Sequence, residues 1–573
     1  MNALSATTAI STGRVHLVTF RRQSLTMARW RVLWVALVFA MVAAAAVLRI
    51  FYFGLSDRAV SRTSLEDALL PPRGEITDRN GTPLARAFPA YALWYNPNAL
   101  GGSGAPLVKS PEQVAAELLA IFPALDEAKI TRQLASGKAG YIRRRVLPEE
   151  ANQVQAIGEL ALGMPRETDR HYPQGSMGAH ILGYVAADGK GRVGMEQVLE
   201  KQLSDPALRG DPIPLSIDIR VQGALEDELR RGMLAVDALG AAGIVLDVDT
   251  GEVMALASLP EFDPNRIDVD GAANMMNRVT NQVYELGSTF KPLTMAAAID
   301  AGVIRDLSKP WNAKTVKIGS IERSDHSDKG DTLNIPQALA YSSNTVTMRV
   351  ADQLGPERLR QTMIDLGMNE RPFIELPAKG HPIWPGGKWS RLTNMTVGYG
   401  HGISVTPLHL ASAYAAMVNG GIWRPATLRK VEPGAAPRGR RVFKASTSSR
   451  MRQLLRMVSL YGTGRSADAK GYRVGGKTGS AEKPTRGGYS RTKLVSTFAA
   501  AFPMDRPRYV VVAVIDEPRG TLASSYQRTA AWNAAPVVGR LVPRIAPLMG
   551  VHPDARRDVD ISDLESLIRK PKQ

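Results

Sequence analysis

Residues 240–265 read GAAGIVLDVDTGEVMALASLPEFDPN, two apolar runs parted by Asp249-Thr250-Gly251. Short apolar runs rich in Val, Ile and Leu that meet at a turn-forming tripeptide read as paired strands, so an antiparallel hairpin is expected here. A second apolar pair, STFAAAFP (496–503) and RYVVVAVIDE (508–517), lies far downstream. Runs of helical pattern such as PLHLASAYAAMVNGG (407–421) stand between the two pairs. Sheet at both ends with helices between predicts one α+β domain. The helix-like RVQGALEDELRRGMLAV (220–236) leads into it, and the Pro-, Gly- and Arg-rich PGAAPRGRR (433–441) reads as a surface excursion. From about residue 551 the chain reads as a polar, mobile tail.

The full 573 residues exceed the roughly 250–300 at which a single core stops growing, so more than one folded domain is expected. Hydrophobic residues at 44% and charged residues at 22% are ordinary for a globular chain, which excludes wholesale disorder and a multi-span membrane protein. The net charge of +18 suits nucleic acid, anionic lipid or an acidic cell-surface polymer. No zinc-finger spacing, aromatic ribonucleoprotein motif or Lys-rich tract accompanies it, so no nucleic-acid partner is expected. With no cysteine there are no disulfides and no thiolate metal site.

Residues 1–31 carry Arg14, Arg21, Arg22, Arg29 and Arg31 and no acidic residue, and lead into VLWVALVFAMVAAAAVLRIFYF (32–53). With Arg49 snorkelling, this stretch reaches the ~20 residues that cross a hydrocarbon core, and Phe51, Tyr52 and Phe53 can form an aromatic anchor. The positive flank predicts a cytoplasmic N-terminus and an exported body. The small residues Ala43–Ala46 would suit a cleaved signal peptide, but the apolar run is longer than a signal core, so a retained anchor is expected. Beyond the span, PPRGEITDRNGTPLARA (71–87) carries the hairpin-turn pair Asn80-Gly81. The Gly-rich loop GGSG (101–104), the helical PEQVAAELLAIF (111–122) and further turns complete an α+β accessory module reaching to about residue 235.

The chemistry is carried by YELGSTFKPLTMAAAIDAG (284–302). A helix beginning at Ser288 sets Lys291 one turn later on the same face, within reach of the hydroxyl, and Pro292 in the first turn costs no hydrogen bond. A serine hydroxyl becomes a nucleophile when a base takes its proton, and burial lowers a lysine enough to be that base. Ser-x-x-Lys alone is weak: Ser288 reads equally as a helix cap, and Ser480-Ala-Glu-Lys483 has the same spacing. The weight comes from Ser342-Ser343-Asn344 and Lys477-Thr478-Gly479, which follow in the order of the three-part signature of penicillin-binding proteins and serine β-lactamases. In acyl transfer the backbone N–H groups of Ser288 and Ser480 are the candidates to stabilise an oxyanion. Ser342 can relay a proton between Lys291 and a leaving amine, and Asn344 can hold Lys291 and a substrate amide. Lys477 and Thr478 suit a substrate carboxylate, Gly479 permits close approach of a substrate backbone, and Ser480 completes that edge.

The resemblance extends over roughly residues 20–550. RGEITDRNGTPLA, RHYPQGSMGAHILGYV (170–185), GRVGMEQVLEKQL (191–203), TGEVMALASLPEFDPN and VGYGHGISVTPLHLASAYAAMVNGG (397–421) together resemble the class B penicillin-binding proteins of the division-type FtsI family. The resemblance implies a cytoplasmic basic tail (1–31), a transmembrane anchor (32–53) and an elongated α+β pedestal of the dimerisation type (54–235). It further implies a β-lactamase-like transpeptidase domain of antiparallel sheet with helices (236–550) and a C-terminal tail (551–573). It implies septal cross-linking of D-Ala-D-Ala stem peptides without metal or cofactor, on lipid-linked precursor strands at the inner membrane. The implied partners are the membrane polymerase FtsW, other divisome proteins and β-lactam antibiotics. Leu286 and Ser480 depart from the family's usual proline and threonine. An elongation-type transpeptidase, a D,D-carboxypeptidase and a non-catalytic divisome scaffold or β-lactam sensor are the alternatives.

Overall fold

A computed structural model describes residues 27–49, 71–99, 107–186, 188–267, 272–319, 321–485 and 488–568. The chain divides at residue 70 into two units. In the first, helix α1 (Met27–Arg49) is 23 residues long and apolar enough to cross a membrane, with none of its apolar stretch buried in protein. It begins before the expected Val32 because Met27, Ala28 and Arg29 are good helix formers that extend the span into its basic flank. Phe51, Tyr52, Phe53, the basic residues up to Arg22 and the GGSG loop lie outside the described residues.

The second unit opens with the expected hairpin, strand β1 (Ile76–Thr77) against β2 (Pro83–Tyr95). Its turn has Gly81 at φ +86°, and the Asp78 carboxylate accepts from the Asn80 and Thr82 N–H groups at 2.8 Å. Helices α2 (Pro111–Ile121) and α3 (Glu127–Ala135), strand β3 (Gly140–Val146), helix α4 (Pro148–Ala156) and strands β4 (Leu162–Gly163), β5 (Arg166–His171) and β6 (Ile213–Pro214) complete a small α+β module. The long β2 is its spine, pairing β5 along Arg86–Tyr91 and β3 along Tyr91–Tyr95. Leu93, Val114, Leu118, Phe122 and Leu134 fill the core beneath it. The three marker stretches of this module meet at one buried carboxylate: Glu196 accepts from Arg73 at 2.8 Å and from Arg170 at 2.6 Å. One buried carboxylate thus offsets two buried guanidiniums, and Arg170 also donates to the Gly74 carbonyl at 2.7 Å.

Downstream come helix α5 (Ile219–Ala235), strands β7 (Gly240–Asp247) and β8 (Val253–Leu259), and helices α6 (Lys291–Asp300), α7 (Ile335–Ala340), α8 (Asn344–Leu354), α9 (Pro407–Val418) and α10 (Ala445–Tyr461). Strands β9 (Gly475–Thr485), β10 (Gly488–Phe502) and β11 (Tyr509–Asp516) and helix α11 (Ala534–Ile545) follow. The two apolar hairpins of the sequence join in one antiparallel sheet of order β9-β10-β11-β7-β8. Every residue of β7, β8 and β11 is buried, because α5 and α11 cover one face of the sheet and α6, α9 and α10 the other. One hydrophobic cluster runs from Ile76 and Leu84 of the first module to Leu246 and Val253 of the sheet. At the sheet's exposed end, β9 leaves one edge for the segment that precedes α6.

The expectation of a mobile tail from residue 551 is overturned. Residues 558–568 lie along α10: Arg456 is paired with Asp558 at 2.7 Å, the Gln453 amide donates to the Asp560 carbonyl, and Leu564 is 3% exposed. Apolar residues such as Ile561, Leu564, Leu567 and Ile568 lie among charged and polar ones, so composition makes the segment read as a polar tail even though it packs.

Candidate active site

Gly287–Phe290 form a 3-10 turn that runs into α6 at Lys291, so the helix expected from Ser288 begins as this tighter turn. From Tyr284 to Ala298 every residue is buried except Ser288, which is half-buried. The turn is fixed on several sides. Gly287 N–H donates to the Gly400 carbonyl at 3.2 Å, the Thr289 hydroxyl to the Leu286 carbonyl at 2.9 Å, and the Tyr414 hydroxyl to the Thr289 carbonyl at 2.8 Å.

Lys291 is fully buried, and its Nζ donates to the Ser342 carbonyl at 2.5 Å and to the Ser342 Oγ at 3.1 Å. Burial pulls its pKa from the ordinary lysine value down to about 7, against the opposing attraction of Asp325. Ser342 has φ +61°, a left-handed conformation that costs a non-glycine residue about 1–2 kcal/mol. Such strain persists where the surroundings over-determine it. Here Asp325 does so, accepting from Ser343 Oγ at 2.6 Å, from Asn344 N–H at 2.6 Å and from Thr345 N–H at 3.0 Å. Asn344 itself is half-buried at the start of α8, held through this backbone bond.

Strand β9 brings the third segment. Lys477 is fully buried, and its Nζ donates to the Thr478 carbonyl at 2.9 Å and hydroxyl at 3.2 Å. Burial, then the like charge of Lys291, hold its pKa well below the usual lysine range. The Thr478 hydroxyl is 2.6 Å from that of Thr463. A Cβ on Gly479 would lie 2.4 Å from the Leu286 carbonyl oxygen and 2.8 Å from Thr289 Cγ2, so the serine turn packs directly on this glycine. The Ser480 carbonyl oxygen lies 3.4 Å from a Cβ built on Gly287. In an extended strand a residue's N–H and C=O point to the same side, so the Ser480 N–H also faces the serine turn along the strand edge. Its side chain turns elsewhere, with Oγ accepting from the Ala530 N–H at 3.0 Å.

The structure thus draws Ser288, Lys291, Ser342, Asn344 and Lys477 through Ser480 to one edge of the sheet. It adds residues that the sequence reading missed. Asp325 sits in the aperiodic RSDHSDKGD (323–331), where nothing marks it as the ligand of three backbone and hydroxyl donors. Thr463 follows α10 in YGTG (461–464), a turn signal without a chemical one. Glu285, beside the serine motif, accepts from the Tyr489 hydroxyl at 3.0 Å and Gly402 N–H at 3.1 Å, and burial raises its pKa. The His401 ring lies 4.9 Å from Tyr399 and 5.7 Å from Tyr489, and burial with the nearby Lys291 charge lowers its pKa to about 4, so it is neutral. Among the described residues no group of three or more His, Asp or Glu could hold a metal ion.

Two domain families match this chain. The penicillin binding protein transpeptidase domain matches residues 241–537, and the penicillin-binding protein dimerisation domain matches residues 68–211. The probable peptidoglycan D,D-transpeptidase FtsI of Caulobacter vibrioides is 36% identical over 489 residues, 84% of this chain and 82% of that one. The peptidoglycan D,D-transpeptidase FtsI of Escherichia coli is 30% identical over 507 residues, 84% of each. The crystal structure of penicillin binding protein 3 from Mycobacterium tuberculosis with aztreonam shares the fold, with a TM-score of 0.65 at 23% identity over 86% of this chain and 99% of that one. The chain therefore belongs to the class B penicillin-binding proteins, in their FtsI family of peptidoglycan D,D-transpeptidases.

Proposed function

We propose that this protein cross-links septal peptidoglycan during cell division, as an acyl-serine D,D-transpeptidase acting on D-Ala-D-Ala stem peptides, and that β-lactams acylate the same serine. The observation that carries the reading is the buried Lys291 amine, with a pKa near neutrality, in contact with Ser342 and one turn from the half-buried Ser288.

In this mechanism neutral Lys291 takes the Ser288 proton as Oγ attacks the carbonyl of the penultimate D-Ala. Such general-base help is worth about 10²–10⁴-fold. The oxyanion that forms is received by the N–H groups of Ser288 and Ser480, each donor of this kind worth about 10²–10³-fold. Ser342 passes the proton from the Lys291 ammonium to the departing amine, the C–N bond breaks, and D-Ala leaves. Asn344 holds the substrate amide. Lys477 and Thr478 hold the terminal carboxylate, while Gly479 admits the substrate backbone against β9. An amine of a neighbouring stem then attacks the acyl-Ser288 ester, loses its proton to the same relay, and frees the serine as the new amide forms.

The chain fits a single-pass inner-membrane protein, with α1 as its anchor. The arginines ahead of the span favour a cytoplasmic N-terminus and an exported body at the septum. We assign residues 54–235 as pedestal and 236–550 as transpeptidase domain. The pedestal markers fill the module ahead of the transpeptidase domain, so glycan polymerisation is assigned to a membrane partner of the FtsW type and recruitment to other divisome proteins.

Mass spectrometry of the penicillin-treated protein tests the reading. The penicilloyl adduct is expected on the peptide holding Ser288 and is lost in Ser288→Ala. Labelling that survives Ser288→Ala refutes the nucleophile. Release of D-Ala from a stem peptide without any cross-linked product identifies a carboxypeptidase instead.

A further inference from the structure

The mechanism leaves unused the ordered segment 551–568, which contacts two helices that lead into the site, α7 and α10. Its Leu567 carbonyl accepts from Asn334 Nδ2 at 2.9 Å, and Asn334 is the N-cap of α7, the helix that ends just before Ser342. Its Glu565 accepts the hydroxyl proton of Tyr461, the last residue of α10. Two residues on, Thr463 donates its N–H to the Ala340 carbonyl of α7 at 3.2 Å and shares a 2.6 Å hydrogen bond with Thr478. Its Asp558 pairs with Arg456, which is 6% exposed and donates to the Val474 carbonyl at 2.8 Å, just ahead of Lys477. Leu564 anchors the segment in the main core, with Ile561, Leu567 and Ile568 packed beside it.

We propose that this C-terminal strap is a positioning element for the acylation site, with Glu565 and Asp558 as its positioning residues. The proposal rests on the transpeptidase reading above, since the residues it positions are those that reading employs. The physical need is plain at α7. A helix of six residues has no stability of its own, so its orientation is set by the core packing of Ile335, Ala338 and Leu339 together with whatever holds its two ends. One end is held by the strap through Asn334, and the other packs on the Gly462–Thr463 turn, where a Cβ on Gly462 would sit 2.5 Å from the Ala340 carbonyl oxygen. That second end leads into Ser342, whose left-handed backbone aims both its carbonyl and its hydroxyl at Lys291. Loosening either end frees Ser342 to relax to an ordinary conformation and leave the amine. Arg456 works similarly on β9: without Asp558, the buried guanidinium keeps only Asp468 as an acidic partner, and its hold on Val474 is no longer fixed from both sides.

The test uses the full chain and a fluorescent penicillin, with the first-order acylation constant and Tm measured separately. Glu565→Ala is expected to slow acylation about tenfold, the equivalent of one lost hydrogen bond to a charged acceptor. Glu565→Gln still accepts from the Tyr461 hydroxyl and is expected to restore the rate. The double variant Asp558→Ala/Glu565→Ala is expected to be slower than either single one. If it fails to fold, the Ala and Gln variants at Glu565 decide alone. A clamp that serves stability only would lower Tm in Glu565→Ala and leave the acylation constant at the wild-type value, and that result overturns the proposal. A wild-type chain that takes no label at all counts against the transpeptidase reading, not against the strap.

Discussion

The contact between Gly479 and the serine turn makes a single methyl group a sharp probe of the site. In Gly479→Ala the new Cβ would stand 2.4 Å from the Leu286 carbonyl oxygen. That is about 1 Å short of the roughly 3.5 Å at which non-bonded heavy atoms rest. The oxygen cannot step aside by itself, because it accepts from the Thr289 hydroxyl and its turn is tied to Gly400 and Tyr414. The turn must therefore move from β9 as a body, carrying Ser288 about 1 Å from the Ser480 N–H with which it would share an oxyanion. A misplacement of that size costs about 10²-fold in rate. Overpacking adds a stability cost of about 1–3 kcal/mol. Rapid-mixing fluorescence with a reporter penicillin separates the binding constant from the first-order acylation constant, and the loss is expected in the second, since Lys477 and Thr478 keep their places. A Gly479→Ala protein with lowered Tm and an unchanged acylation constant would show that the serine turn and the strand need not be in register, and the proposed oxyanion site would fall with it.

Acylation is expected to rise with pH through about 7 and flatten above it. Lys291 sits below its ordinary lysine value, so its base form is full above that point and is lost to protonation below it. The pH profile of the acylation constant measures this, and Lys291→Arg, which stays charged, is expected to remove labelling altogether. Asp325→Asn removes the one negative charge that favours protonated Lys291, so the midpoint of that profile is expected to move to lower pH. An unmoved or raised midpoint would contradict the assigned coupling. The same variant should lower the maximal rate, because the loop from Ser343 to Thr345 loses its anionic acceptor.

The two apolar hairpins were readable because strands covered on both faces need apolar residues at every position, so β7 and β11 stand out as unbroken runs. Strand β9 is different: Lys477 and Thr478 break the apolar run, Gly479 admits the close approach of the serine turn, and only the three-part motif draws attention to it. The convergence of the motifs was legible from their order, whereas the device that enforces it was not. Asp325 acts on backbone N–H groups, which any sequence presents, so no spacing betrays it. The strap is hidden for a related reason. Asp558, Asp563 and Glu565 look like solvated charge, and their partners Arg456, Arg450 and Tyr461 lie on a helix about a hundred residues earlier.

The two buried lysines explain how such a site can rest ready without substrate. Each is stripped of solvent, and the charge of Lys291 disfavours that of Lys477. Like charges disfavour one another, so a proton on one amine opposes a proton on the other. On the proposed roles, arrival of a peptide's terminal carboxylate beside Lys477 supplies a counter-charge and draws a proton to that amine. A charged Lys477 in turn disfavours charge on Lys291, leaving it neutral when the scissile carbonyl is in place. Binding of the carboxylate and readiness of the base are then one electrostatic event. A ligand without that carboxylate loses the grip of Lys477 and also the bias that keeps Lys291 free to take the serine proton.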